Sequence, residues 1–294
     1  MSGGQGAKDM ELTVLILMGL YSLLSFIPGV YDQTWFQFLL APALLFPGIS
    51  HGAVDHHLDL KDKRKGIGLF LLQYISIMLV VLGIWLLVPI AGLLLFVLLS
   101  AWHFGETDLR EWGMYHPVRA TLFGWGIIGL LLFGHAQETS SVVSMLKTET
   151  LGGFVIACKT IGLCLSAVCL LIPLHAIKGK HLSSYLAVVF ILLLGLLLPL
   201  LSAFLWYFCA WHSIRGWLHL RVLTNASNWS LVKMSLPFTI GALLVFAGLY
   251  FFYPYFLSPD GKQYAIFFIF IASLSAPHIL SMHHAYRGHL AGAR

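Results

Sequence analysis

Apolar residues occur along the chain in long, almost continuous runs that short polar segments separate. An α-helix needs about 20 such residues to cross the roughly 30 Å hydrocarbon core of a bilayer. The runs therefore predict an all-α, polytopic bundle of transmembrane helices, with about ten spans and a range of about 8–10. The predicted spans are residues 12–28, 35–50, 67–88, 90–104, 120–135, 155–175, 184–198, 200–219, 233–256 and 265–283.

Two prolines decide the number of spans. Pro89, after Val88, and Pro199 each divide an apolar run of more than 35 residues. Proline kinks or ends a helix, and a run of this length is too long for a single crossing. We therefore predict a boundary between two spans at each of these prolines.

The basic residues predict the orientation in the membrane. With ten spans and the N-terminus inside, 14 of the 17 lysines and arginines fall on inside segments. Cytoplasmic loops carry such an excess of basic residues. We therefore expect a multi-pass protein of the cell membrane with both termini in the cytoplasm. Topology also accounts for the net charge of +5 without a nucleic-acid partner.

Composition favours one integral membrane domain over residues 1–294. Hydrophobic residues make up 59% and charged residues 10% of the chain, too few charges for a soluble protein of this length. The first apolar run is too long for the core of a cleavable signal peptide, so we expect it to be retained. The four cysteines lie inside predicted spans without metal-type spacing, which indicates packing residues.

Histidine is frequent for so apolar a chain, with 14 residues. Ionisable groups inside a membrane are costly and usually functional. Four histidines, His51, His103, His212 and His278, lie near the inner ends of spans that all run from outside to inside. We therefore predict that they meet at one depth near the cytoplasmic face. A set of imidazoles in lipid favours iron, copper or zinc over calcium or magnesium.

Residues at helical spacing from these histidines are candidates to support them. Asp55 follows His51 by four residues, and a carboxylate near a ligating imidazole fixes its tautomer. Glu106 and Thr107 follow His103 by three and four residues. Arg215 and His219 follow His212 by three and seven residues.

The remaining histidines have simpler explanations. A single membrane histidine is more often a hydrogen-bonded residue between helices than a metal ligand. For His56, His57, His283 and His284, nearer the interface, a solvated role and a ligand role both stay open. Loop or interfacial positions are expected for the others, which are His116, His135, His175, His181 and His289. Aromatic residues near the four histidines are packing residues or the lining of an apolar tunnel; they are Trp102, Phe104, Trp206, Tyr207 and Trp211.

The motifs around the histidines resemble the Brp/Blh family of membrane β-carotene 15,15′-dioxygenases over about residues 40 to 285. They are His51-Gly52-Ala53-Val54-Asp55-His56, Ser100-Ala101-Trp102-His103-Phe104-Gly105, Trp211-His212-Ser213-Ile214-Arg215 and Pro277-His278. The resemblance implies Fe(2+)-dependent cleavage of β-carotene by O2 into two molecules of all-trans-retinal, which would serve a microbial rhodopsin. It also implies that His51, His103 and His212 are iron ligands.

One residue departs from the family pattern. The family has a histidine four residues after the position of His212, and this chain has Gly216 there. His278, at the same predicted depth, is our preferred fourth ligand, and His219 is the second choice.

Two other functions fit parts of the pattern. His56 and His57 after His51, and His283 and His284 after His278, weakly resemble the histidine boxes of di-iron desaturases and hydroxylases. A proton- or metal-coupled transporter would use His51 and Asp55 as a relay, although the spans do not pair as repeats. Metal content distinguishes the two enzyme classes, and uptake without O2 consumption would indicate the transporter.

Overall fold

The computed structural model describes residues 3–30, 48–59, 66–145, 149–252 and 262–292. Within these residues the regular secondary structure is helical and no strand is present, which confirms the predicted all-α class. The predicted span at 35–50, except for its last three residues, lies outside the described residues. The same holds for four basic residues of the predicted inside segments, Lys61, Lys63, Arg64 and Lys65.

The described chain forms a series of α-helices joined by short turns. In chain order they are α1 (Gly3–Ser25), α2 (Asp55–Asp59), α3 (Ile67–Leu87), α4 (Pro89–Glu111), α5 (Pro117–Gly134), α6 (Ala136–Met145), α7 (Glu149–Ala157), α8 (Lys159–Leu170), α9 (Lys180–Gly195), α10 (Leu200–Leu205), α11 (Ile214–Thr224), α12 (Asn228–Phe252) and α13 (Lys262–Gly292). Short 3₁₀ turns cover Gly52–Val54 and Ile172–His175, and a π-helix covers Trp206–Ser213.

Four helical segments among the described residues are long and apolar enough to cross a membrane. They are Ile67–Leu87, Pro89–Glu111, Pro117–Gly134 and Asn228–Gly248. A fifth span results if Leu151–Ala157 and Lys159–His175, which are bent by 73° at their junction, form one broken crossing. These helices fit a membrane protein, but they do not confirm the prediction of about ten spans.

Both predicted proline boundaries coincide with helix ends. Helix α3 ends at Leu87 and α4 begins at Pro89, where the missing N–H of proline needs no partner. Helix α9 ends at Gly195, and α10 begins directly after Pro199. Proline alone does not end a helix here, because Pro237 lies inside α12 and Pro277 inside α13.

Contacts divide the chain into two compact units. The single membrane domain expected from the sequence stays a prediction. The first unit comprises Met1–Gly48, Ala101–Thr139 and Ile156–Leu218. Within it, α5 packs along α8 and contacts α9 and α10. Phe123 and Ile127 of α5 and Val188 of α9 are fully buried and form its core.

The second unit comprises Ile49–Ser100, Ser140–Val155 and His219–Arg294. Within it, α13 packs along α3 and also contacts α2 and α12, while the Gly52–Val54 turn lies against α12. Val54, Leu231 and Ile279 are buried at these contacts. The turn that follows His51 is therefore held by its packing against α12.

Two glycines permit a very close crossing of α4 and α5 in the first unit. A Cβ atom at Gly105 would overlap the backbone carbonyl of Ala120, and one at Gly124 would overlap the carbonyl of Ala101. Small residues allow two helix backbones to approach in this way. The crossing fixes the turn of α4 that carries His103.

We predict that Gly105→Ala and Gly124→Ala each destabilise the protein by about 1–3 kcal/mol or more, because overpacking forces backbone shifts. Thermal unfolding in detergent should show a lower midpoint for both variants. Gly83→Ala on α3 is the matched control, since a Cβ there meets nothing within 4 Å. An unchanged midpoint for Gly105→Ala would contradict the close crossing.

Candidate metal centre

His103 lies on α4 where the helix changes from apolar to polar. Its side chain is buried, with 3% exposure. The hydroxyl of Thr107 donates a hydrogen bond of 2.9 Å to the backbone carbonyl of His103, within the helix. Glu106, Thr107 and Asp108 are buried as well, so this end of α4 brings several polar groups into the protein interior.

His212 lies on the π-helix Trp206–Ser213, in which every residue is buried. Wide π-helical turns are rare and occur frequently at functional sites. The rings of His212 and His103 face each other edge to face, with centroids 4.9 Å apart and planes at 74°. Phe104 packs on the imidazole of His212, with ring centroids 4.5 Å apart, so an aromatic ring covers one side of this histidine.

The second unit contains a similar pair. His51, 3% exposed, immediately precedes the Gly52–Val54 turn, and His278, 7% exposed, lies on α13. Their ring centroids are 4.8 Å apart and their planes are nearly perpendicular. A Cβ atom at Gly52 would stand 3.3 Å from Nδ1 of His278, so glycine allows the turn to approach this ring.

Asp55 fixes the orientation of His278. Nδ1 of His278 lies 3.0 Å from both carboxylate oxygens, and Asp55 is 1% exposed. The hydroxyl of Tyr74 donates a further, longer hydrogen bond of 3.3 Å to Oδ2 of Asp55. A carboxylate at Nδ1 keeps the ring proton there and leaves the lone pair on Nε2. This arrangement is typical of a histidine that binds a metal through Nε2.

The chemistry of these donors fits a transition metal. His51, His103, His212 and His278 are all buried, and neutral imidazole in a dry environment is a ligand for iron, copper or zinc. His51, His212 and His278 each offer one ring nitrogen that could bind a metal ion. The same donors suit all three metals, so the donor set alone does not select among them.

Two residues expected to support the histidines form ion pairs. Glu106 accepts hydrogen bonds of 2.7 and 2.9 Å from Arg110. Arg215 donates to Glu111 at 2.5 Å and to Ser184 at 2.8 Å. Their identified partners therefore connect α4, α9 and α11 in the first unit.

Trp211 and Asp108 extend this polar network beside His212. The indole N–H of Trp211 donates to Oδ1 of Asp108 at 3.2 Å, and the guanidinium of Arg215 lies 4.5 Å from the Trp211 ring. The network ties the π-helix to α4. Asp108 was missed by sequence reasoning, although it ends the polar run Glu106-Thr107-Asp108, which begins three residues after His103.

Several other histidines have partners of their own. Nδ1 of His219, the second choice for the fourth ligand, shares a hydrogen bond of 3.2 Å with the hydroxyl of Tyr286. His135 is buried where α5 ends, and its two ring nitrogens contact the carbonyls of Leu131 and Leu198. The sequence predicts a loop or interfacial position for His135 and does not indicate this contact between helix ends.

His56 lies in an aromatic environment on α2. Its ring centroid is 4.1 Å from that of His57 and 4.2 Å from that of Phe238, and it is 8% exposed. Burial, assisted by repulsion from His57, lowers the pKa of His56 to about 4. His56 is therefore neutral at pH 7 and packed, whereas His284 is exposed.

The helices and histidines together define a class: an all-α membrane protein with buried imidazoles that could bind a metal. A model of the β-carotene 15,15′-dioxygenase family matches residues 43–284, which is most of the chain. The chain belongs to this family and is a dioxygenase, which confirms the resemblance found in its motifs.

A named relative agrees with the family. The β-carotene 15,15′-dioxygenase of uncultured marine bacterium 66A03 is 24% identical over 264 residues, which cover 84% of this chain and 92% of the relative. No solved structure matches the chain.

Proposed function

We propose that this protein cleaves the central double bond of β-carotene with O2 at a non-haem Fe(2+) site and yields two molecules of all-trans-retinal. The family match over residues 43–284 carries the proposal, and the name of the marine bacterial relative supports it. The reaction balances without a reductant, because each half of the broken C=C bond gains one oxygen atom from O2 and becomes an aldehyde.

We propose that His51, His103, His212 and His278 hold this iron. All four are buried, and each unit presents two of them as a close pair. When bound, the iron would activate O2, and four imidazoles leave coordination positions for it. The role of the histidines is to hold the metal in a dry setting with a fixed geometry.

Asp55 and the aromatic residues would position the reactants. Asp55 holds His278 through Nδ1, and loss of such a supporting carboxylate typically reduces metal affinity or activity by about 10–100-fold. Phe104 and Phe208 pack on His212, which excludes water and offers an apolar wall to a polyene. Orientation of the central double bond, rather than acid–base chemistry, would then provide selectivity.

The membrane setting completes the proposal. We infer a single multi-pass domain with about ten spans in the cell membrane, supported by the apolar runs and the excess of basic residues on inside segments. β-Carotene dissolves in the bilayer, so a membrane enzyme meets it directly. The retinal produced would be available to a microbial rhodopsin.

We predict that the purified protein contains about one iron per chain, as expected for one set of imidazole ligands. Metal analysis after iron-replete expression measures it, with manganese, copper and zinc determined on the same sample. Expression in a bacterium that accumulates β-carotene should also remove the orange colour and produce retinal.

Other outcomes distinguish the alternatives. Folded protein without metal would contradict the site. Two irons per chain would favour a di-iron desaturase or hydroxylase, and uptake by proteoliposomes without O2 consumption would favour a transporter.

A further inference from the structure

A cleft of about 550 Å³ opens between α3 and α13 of the second unit. Its volume lies within the roughly 300–1,000 Å³ of small-molecule pockets. Among its lining residues, Phe70 and Pro277 are buried and form the floor. The exposed residues at the rim are Leu72 and Leu280 together with the polar Gln73, Ser76 and His284. The cleft therefore runs from the surface of the unit into its interior between two helices.

The cleft opens on a surface suited to lipid. Helix α3 has a mean hydropathy of 2.4, the highest among the candidate spans of the described chain, and only 11% of its apolar stretch is buried. A helix that is apolar all round and largely uncovered is stable when lipid covers it. A hydrocarbon dissolved in the bilayer can therefore reach the rim without passing through water.

The floor of the cleft adjoins the proposed metal ligand His278. Pro277, its neighbour in sequence, lines the cleft, and so does Tyr74. The hydroxyl of Tyr74 bonds to Asp55, which in turn holds Nδ1 of His278. One wall of the cleft is thus connected by hydrogen bonds to the residue that orients this imidazole.

We propose that this cleft admits the polyene substrate from the bilayer and holds one apolar end of it. The proposal rests on the proposed function and gives that function a place for its substrate. A mostly apolar lining and a floor beside His278 suit a long hydrocarbon whose reacting bond lies at its middle, since one end remains anchored while the centre is aligned.

The proposal is tested by placing a large side chain in the cleft from the α3 side. Ser76 lines the cleft and Ile75, its neighbour, does not; both are exposed on α3, and their side chains project about 100° apart. We expect Ser76→Trp to raise the KM for β-carotene about tenfold, because a large side chain in a fitted space excludes the substrate. kcat and iron content should stay unchanged. Ile75→Trp should leave the KM within about twofold of wild type, as is typical of surface substitutions.

A binding measurement separates this proposal from the proposed function. Protein purified without O2 from cells that contain β-carotene should retain the pigment, and Ser76→Trp should retain at least several-fold less than Ile75→Trp. Pigment retention that falls in Ser76→Trp, in a protein that forms no retinal, would support the cleft and contradict the proposed function. Normal retinal formation with KM and retention unchanged in Ser76→Trp would overturn the cleft alone.

Two further results complete the test. Should Ser76→Trp fail to fold, Leu280→Trp fills the cleft from α13 and is expected to have the same effects. If the cleft-filling variant loses bound lipid but retains the pigment, an acyl chain occupies the cleft, and the proposal is overturned.

Discussion

Replacing His103 with alanine should abolish retinal formation and remove most of the bound iron, while the protein still inserts into the membrane. Loss of a ligand from a buried site removes metal affinity and geometry together. Since loss of a supporting residue alone reduces affinity or activity by about 10–100-fold, loss of a ligand should exceed about 100-fold. The same result is expected for His51→Ala and His212→Ala.

The control for these three variants is a histidine that is exposed and is not a proposed ligand. His175 is exposed, and its Nδ1 contacts the carbonyl of Ile172 within its own turn. His175→Ala should therefore retain wild-type retinal formation and iron content. Chromatography of retinal and metal analysis of the same preparations measure both quantities. Wild-type activity in any one of the three ligand variants would show that its assignment is wrong.

Local chemistry explains which parts of the fold the sequence predicts. The helix boundaries at Pro89 and Pro199 follow from the missing N–H and fixed ring of proline acting within apolar runs that are too long for one crossing. The π-helix around His212 has no such local cause. Besides its chain neighbours α9 and α10, it packs against α1 near the start of the chain, a contact that local sequence does not indicate.

The support of the histidines shows the same limit. Spacing on an ideal helix places Asp55 about 40° from His51, since each residue turns by about 100°. The chain instead forms a 3₁₀ turn at Gly52–Val54. A 3₁₀ turn rotates by about 120° per residue, so it can place Asp55 up to about 120° from His51 around the helix axis. Asp55 consequently reaches His278, a partner 223 residues away that helical spacing cannot indicate.

The burial of the four histidines could be predicted from the sequence better than their hydrogen-bond partners. Their positions near the ends of apolar runs predicted imidazoles inside the protein, and all four are buried. Which histidine faces which is decided by tertiary packing, as in the close crossing of α4 and α5 at Gly105. Tyr74 was missed for a similar reason, because a tyrosine within the apolar run of α3 does not by itself indicate a hydrogen bond to Asp55.

The fourth ligand provides the sharpest test, because Gly216 cannot bind a metal. We predict that His278→Ala reduces iron content and retinal formation by about 100-fold or more, whereas His219→Ala leaves both near wild type. His278 is buried and held by Asp55, as expected of a ligand. His219 instead shares its Nδ1 hydrogen bond with Tyr286.

Stability must be separated from metal binding in this experiment, since His278→Ala also removes the partner of a buried carboxylate. His278→Gln retains an amide N–H that can donate to Asp55, so its unfolding midpoint should stay closer to wild type while its iron content falls. Gly216→His in the His278→Ala background should restore some iron, because position 216 lies one helical turn after His212. Full iron occupancy and activity in His278→Ala would remove His278 from the ligand set. The site would then consist of three histidines, or of three histidines completed by His219.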